Sequence, residues 1–419
     1  MVETLTLHPG VTLRCFRDTR FKQSCLSVQL VRPMCRQEAA QNALLPAVLL
    51  RGCRKYPNLR AITHRLDDLY GASVSALVRR IGDYQTTGLY CAFMEDRFAL
   101  EGDRILAPMM ELLGQLLLDP VTEEDGFSGD FVRSEKKNLI STIESELNDK
   151  RAYAAGQLLR HMCREDSFGV PRLGDKECVE AITPAGLYAH YRKILRESPV
   201  ELFYVGSADP ETVAGLLRPL FAGGERAALP AQTAFHPCEG SHRSEEMEVA
   251  QAKLCMGFTT PITNKTPEFA AMQVFNVLYG AGMTSKLFMN VREKLSLCYA
   301  IGSGYYGSKG ILTVSAGIDT DKETLTRNEI FAQLDACRTG DFTEGELDAA
   351  KEAILSSIRA VHDSPGAIES YYSTSALSGN RYSLQAYRIA VENTTAQQVA
   401  EAARSLQLHS SFILKGVPA

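Results

Sequence analysis

Histidine and cysteine are the residues best able to hold a metal, move a proton or attack a carbonyl, and here both are scattered. The eight histidines are His8, His64, His161, His190, His236, His242, His362 and His409. No two stand three to five residues apart, the spacing that lets one helix present two imidazoles to zinc. His161 beside Cys163, and His236 beside Cys238, have the wrong spacing for a shared closed site. His190, between Tyr188 and Tyr191, reads as a half-buried helix residue rather than a base. The eleven cysteines are odd in number and include no C-x-x-C pair. In settings such as Leu254-Cys255-Met256 they read as small core residues of a reducing compartment, not as a disulfide framework or a nucleophile. Gly302-Ser-Gly304-Tyr-Tyr-Gly307 fits the spacing of a dinucleotide fingerprint but precedes a strand-like run, whereas that fingerprint must open a helix. It reads as a glycine-eased β-turn. No phosphate-binding P-loop and no G-x-S-x-G elbow is present.

Composition narrows the class. Of 419 residues, 45% are hydrophobic and 23% charged, which fits a soluble globular chain of two or three domains and excludes a disordered or membrane-embedded one. The net charge of −5 offers no basic surplus for nucleic acid or an anionic membrane. The longest apolar run, Ala43 to Leu50, is far below the roughly 20 residues of a membrane span. The start, Met1-Val-Glu3-Thr-Leu-Thr6, carries an acid where a signal peptide carries a base, so a cytoplasmic location is expected.

The elements that must position any chemistry follow from periodicity. Strands are expected at 11–15, 25–31, 72–78, 86–93 and 200–205, with helices at 41–52, 59–69, 103–118, 125–147 and 183–195. After a Gly/Ala/Pro-rich stretch the order restarts: strands at 252–258, 298–303 and 311–318, helices at 267–279, 285–294, 322–337 and 344–361, and a closing strand at 411–415. Leu139-Ile-Ser-Thr-Ile143 matches Ile354-Leu-Ser-Ser-Ile358 at equivalent places, which points to an internal duplication. The expected fold is α+β: two tandem similar domains, 1–221 and 246–419, joined by a linker at 222–245, each a largely antiparallel sheet covered by helices.

One run is more specific. Leu278-Tyr-Gly280-Ala-Gly282-Met-Thr-Ser285-Lys-Leu287-Phe288-Met-Asn-Val291-Arg292-Glu293-Lys294-Leu-Ser-Leu-Cys-Tyr299 resembles a hallmark of the insulinase/pitrilysin peptidases, in their short bacterial and mitochondrial-processing-peptidase-like branch. That hallmark is a glycine turn, an S-R-L-F helix start, V-R-E-K and G-L-x-Y. The stretches Phe168-Gly-Val-Pro-Arg-Leu-Gly174, Ile182 to Tyr191 and Phe203-Tyr-Val-Gly206 resemble the end of the family's first domain, so the likeness covers nearly the whole chain. It implies a tandem of two similar α+β domains.

Active members of that family hold zinc with an H-x-x-E-H helix and a downstream glutamate. Aligned on the trailing Arg51-Gly52, the first histidine position is Ala43, the glutamate Pro46 and the second histidine Ala47. The downstream ligand position is Thr142, seven residues after a retained Glu135. Methyl and pyrrolidine groups cannot coordinate a cation, so no zinc is expected in this chain, nor peptide hydrolysis by it alone. Pro46 should also interrupt a helix unless the helix starts there. The resemblance further implies that Arg292 and Tyr299 contact a substrate backbone and stabilise a tetrahedral oxyanion, and that Gly280, Gly282 and Ser285 lie at the substrate. The family usually has Gly where Ser296 stands, which should alter the turn before Tyr299.

Together these imply a non-catalytic, substrate-binding subunit of a heterodimeric zinc peptidase. A homologous H-x-x-E-H subunit would supply the metal, a peptide would be the substrate, and neither nucleic acid nor membrane would take part. The alternative is a structural or chaperone-like peptide-binding homologue without proteolytic role, of the kind linked to elongation factor P modification.

Overall fold

Every run expected as a strand from its apolar periodicity pairs into one of two sheets. The computed structural model describes residues 2–124, 126–146 and 148–416. The chain forms two compact units, each from three stretches: Met1–Glu144, Val170–Ala231 and Val361–Ala376 in the first, Ser145–Gly169, Gln232–Ala360 and Leu377–Ala419 in the second.

The first unit's sheet contains β1 (Val2–His8), β2 (Val11–Arg17), β3 (Gln23–Pro33), β4 (Ser73–Ile81), β5 (Tyr84–Met94) and β6 (Val200–Gly206), in the order β1-β2-β6-β3-β5-β4. Only β2 and β6 run parallel. Leu26, Val28 and Leu30 of β3 pack against Leu44, Leu45 and Val48 of the helix Arg36–Leu49 and against Leu187 and Ile194 of the helix Pro184–Glu197. Full burial of each such side chain is worth about 1.5–3 kcal/mol before ordering costs. The opposite face is covered by the helix Pro365–Ser378, whose Ile368 meets Phe16, Cys25, Phe203 and Val205. Glu369 of that helix is fully buried and takes a two-point ion pair from Arg79 (2.9 and 2.7 Å) and a hydrogen bond from Ser27 (2.6 Å).

The second unit's sheet contains β7 (His242–Met247), β8 (Ala252–Thr259), β9 (Cys298–Tyr306), β10 (Ile311–Ile318) and β11 (Gln407–Gly416), in the order β9-β10-β8-β11-β7. Here only β11 and β7 run parallel. Strand by strand this repeats β4-β5-β3-β6-β2, with the same directions. The α+β class with antiparallel-rich sheets is therefore as expected, and the duplication is visible in topology. The five-residue match also falls at the same place, ten residues into the helices Gly129–Glu146 and Glu344–Ala360. One face of this sheet carries the helix Lys150–Met162, through Ala154 and Leu158 against Cys255, Phe412 and Leu414.

Several expectations shift. The helix expected at 41–52 is Arg36–Leu49 and runs through Pro46, which is interior rather than a start. The expected ends Asp125 and Leu147 lie outside the described residues; between them the helix is Gly129–Glu146. Residues 222–241 carry no helix or strand, and 242–247 pair as β7. β7, His-Arg-Ser-Glu-Glu-Met, lies at the sheet edge, is largely exposed and has no apolar alternation to betray it. The helix Pro365–Ser378 was equally silent, because it buries a glutamate in place of an apolar stripe.

Candidate functional site

At the degenerate metal position the sequence builds a different structure. Pro46 has no N–H, which frees the carbonyl of Asn42 four residues earlier. Thr87 Oγ on β5 donates to that carbonyl at 2.6 Å, and this keeps the helix intact. The Asn42 amide donates to Gln85 Oε1 (2.9 Å), and Asn42 Oδ1 meets His190 Nε2 (2.7 Å). Asn42, Gln85, Thr87 and His190 are all buried. Burial pushes the His190 imidazole down to about 4, against an opposing pull from Glu38. Its place is thus as a neutral core residue.

Zinc does not fit here. Ala43 and Pro46 are buried, Ala47 is half-buried, and none has a donor atom. Thr142 is exposed and donates its hydroxyl to the carbonyl of Asn138 (3.0 Å). The retained Glu135 pairs with Arg51 Nη1 at 3.3 Å and accepts from Asn138 Nδ2. Among the described residues no three His, Cys, Asp or Glu side chains cluster closely enough for a metal. Cysteine chemistry is equally unpromising: burial raises Cys15, Cys25, Cys255 and Cys337 to about 12, so these thiols stay protonated.

The second unit is different. Arg292 lies near the end of the helix Leu287–Lys294, which is wound as a π-helix, as is the preceding segment Val277–Ala281. Such widened turns are frequent at functional sites. The Arg292 guanidinium sits 4.6 Å over the Phe288 ring and 3.6 Å from the Glu293 carboxylate. After this helix, Ser296 adopts φ +49°, the left-handed conformation that glycine reaches without strain. Leu297 N–H closes onto the carbonyl of Val291 at 3.0 Å. The left-handed turn before Tyr299 is therefore made with serine. Tyr299 then falls in a β-bulge: Cys298 pairs with Ile318 and Ala300 with Gly317, so Tyr299 has no partner on β10. Bulges re-aim side chains and occur beside active sites. Tyr299 is 64% exposed. Among the described residues it hydrogen-bonds neither to Arg292 nor to any other side chain.

Beside Phe288, β9 borders a groove of about 440 Å³ lined by Gly280, Gly282, Phe288, Gly302 and Gly304, with Arg151 of the Lys150 helix at its side. β9 is an edge strand, so its outer backbone groups are unpaired within the sheet. Gly280 permits a close packing of its own unit, because a β-carbon there would stand 2.6 Å from Ser303 Oγ and 2.8 Å from Leu287. At Gly282 nothing lies closer than 3.5 Å. Ser285 is buried, and its hydroxyl accepts from Phe288 N–H (3.3 Å), so it starts the helix and is not among the groove's lining. Arg292 and Phe288, and through Phe288 the groove, thus form one neighbourhood. Arg151 had no motif to announce it; the alternate glycines 302 and 304 within a strand were the available sign of close backbone approach.

Two matching α+β units, with methyl and ring groups at the metal position, are the features to set beside known proteins. The description "Peptidase M16 inactive domain" matches residues 181–354. A "Probable inactive metalloprotease YmfF" of Bacillus subtilis is 29% identical over 99% of this chain and 98% of its own. The crystal structure of a conserved protein from Enterococcus faecalis superposes with a TM-score of 0.92 at 26% identity, over 99% of each chain. A peptidase M16 inactive domain from Pseudomonas fluorescens shares the fold, with a TM-score of 0.81 at 17% identity over 100% of this chain and 99% of its own. These likenesses support an inactive member of the insulinase-type (M16) peptidase family, to which the chain is similar over nearly its whole length.

Proposed function

We propose that this chain is the non-catalytic, substrate-binding subunit of a heterodimeric metallopeptidase, presenting Arg292 and Tyr299 to a scissile peptide carbonyl. A homologous subunit with an intact H-x-x-E-H helix supplies the metal and the water. The observation that carries this reading is Tyr299: a bulge takes it out of the ladder and leaves a phenol in solvent. A tyrosine kept for packing would be buried. A phenolic O–H and a guanidinium are suited to developing negative charge.

Large apolar side chains are exposed on the same stretch of chain. Met283 is 76% exposed, and Met289, Leu295 and, at the start of the helix Glu323–Thr339, Leu325 are also uncovered. Lys322 reaches the carbonyl of Ser296 (3.4 Å), which brings that helix start to the turn before Tyr299. Clustered apolar exposure of this kind is what a protein partner covers.

The test is co-expression with an H-x-x-E-H homologue from the same organism, followed by peptide-cleavage assays. The pair cleaves and neither chain alone does. Loss of one oxyanion donor costs on the order of 10²–10³ in rate, so Tyr299→Phe lowers kcat by that factor while the two chains still co-purify. Unchanged turnover in this variant assigns the chain a structural role instead.

A further inference from the structure

The groove beside β9 has an electrostatic character that the family likeness does not supply. Among its described lining residues Arg151 alone carries a charge; the others are glycine, small polar or apolar. Cys255 at its wall is held protonated by burial. Arg151 lies in the first turn of the Lys150 helix, whose cap, Asp149, spends its carboxylate on the N–H groups of Arg151 and Ala152 (3.0 Å each). The Arg151 guanidinium itself forms no ion pair or hydrogen bond with any described residue. Its Nη2 lies 3.7 Å from the point where a β-carbon on Gly302 would stand, so it hangs directly over the edge strand. An extended peptide added to β9 would carry alternate side chains past that point.

We infer that Arg151 selects peptides bearing a carboxylate where they pass Gly302, which makes an acidic peptide the favoured occupant of this groove. The inference rests on the peptide-binding reading above and specifies its substrate class. The geometry suits it: a planar, permanently charged fork over Gly302, which has no side chain, leaves room for a carboxylate and pairs with it at two points. A lysine at the same peptide position would face Arg151, a charge of its own sign.

The experiment measures fluorescence anisotropy of labelled, C-terminally amidated peptides in which Glu, Gln or Lys is stepped through an otherwise neutral sequence. A Gln peptide with a free C-terminus is added to separate a side-chain carboxylate from a terminal one. The Glu peptide in its best register should bind about tenfold more tightly than its Gln counterpart, and the Lys peptide more weakly than either. Arg151→Gln should abolish the difference, and Arg151→Glu should invert it toward Lys. Both substitutions sit in an exposed first helical turn, where Glu complements the helix dipole and folding is preserved. Glu, Gln and Lys peptides that bind alike, or a preference unchanged in Arg151→Gln, overturn the inference and leave peptide binding standing. A preference carried only by the free C-terminus overturns the side-chain assignment. Failure of every peptide to bind overturns both readings.

Discussion

A buried histidine whose hydrogen-bond partner is an amide oxygen, with a carboxylate acting only through space, has one comfortable protonation state. Gln85 Nε2 donates to the carbonyls of Ala39 (3.0 Å) and Arg172 (2.8 Å), so its oxygen must accept from Asn42 Nδ2. Asn42 Oδ1 is then the acceptor left for His190, whose Nε2 carries the proton. Protonating the second nitrogen would bury a charge, and burial holds the folded-state pKa near 4, against 6.5 for an ordinary histidine. The sign follows from linkage: between these values the unfolded chain binds a proton that the folded chain does not, so stability rises with pH. This contribution is complete above about pH 6.5 and is lost as the pH falls toward 4, by roughly 3 kcal/mol in all. Urea unfolding at steps across that window should show the decline, and His190→Gln should flatten it relative to the parent. A wild-type curve no steeper than the variant's would refute the buried neutral assignment. From sequence, His190 read only as a helix residue, because its partner Asn42 lies on another element and no local pattern links the two.

At the scale of elements, legibility followed periodicity. β3, β5, β6 and β10 were readable because apolar and β-branched residues dominate them; β7 was not, being polar at every position except its last, Met247. Pro46 marks the limit most clearly. Local rules make it a helix start, yet the helix passes through it because Thr87, on a distant strand, takes the orphaned carbonyl of Asn42. That substitution of partners makes a specific prediction. Thr87→Val leaves the buried Asn42 carbonyl unsatisfied and should cost about 1–3 kcal/mol. Pro46→Ala restores an N–H that can serve the same carbonyl, so in that background Thr87→Val should cost markedly less. A double-mutant cycle by denaturant unfolding reads the coupling. Additive effects would mean that Thr87 does not stand in for the missing N–H. The Arg/Tyr neighbourhood shows the opposite case: its residues were legible as a motif, while the bulge at Tyr299 and the left-handed Ser296 that aim it are backbone facts.

For the whole molecule, the two units are similar in topology but are not two consecutive halves of the chain. The helix Lys150–Met162 begins 21 residues after the start of Gly129–Glu146, and the helix Pro365–Ser378 begins 21 residues after the start of Glu344–Ala360. These equivalent helices each belong to the sheet of the other half of the sequence. A fragment of residues 1–231 therefore lacks the helix that covers Phe16, Phe203 and Val205 and that brings Glu369 to Arg79. A fragment of residues 232–419 lacks the helix that covers Cys255, Phe412 and Leu414. Each would expose one apolar sheet face, and exposed faces of that kind drive association. Each fragment expressed alone should be insoluble or should unfold at a lower denaturant concentration without a cooperative transition. The two expressed together should recover a soluble complex with the cooperative unfolding of the intact chain. Within the intact chain, Glu369→Ala tests the same latch without a cut: it removes the buried acceptor of Arg79 and Ser27 and should lower stability by about 1–3 kcal/mol. If instead residues 1–231 fold alone, as a monomer with the stability of the intact protein, the helix Pro365–Ser378 is dispensable to that unit.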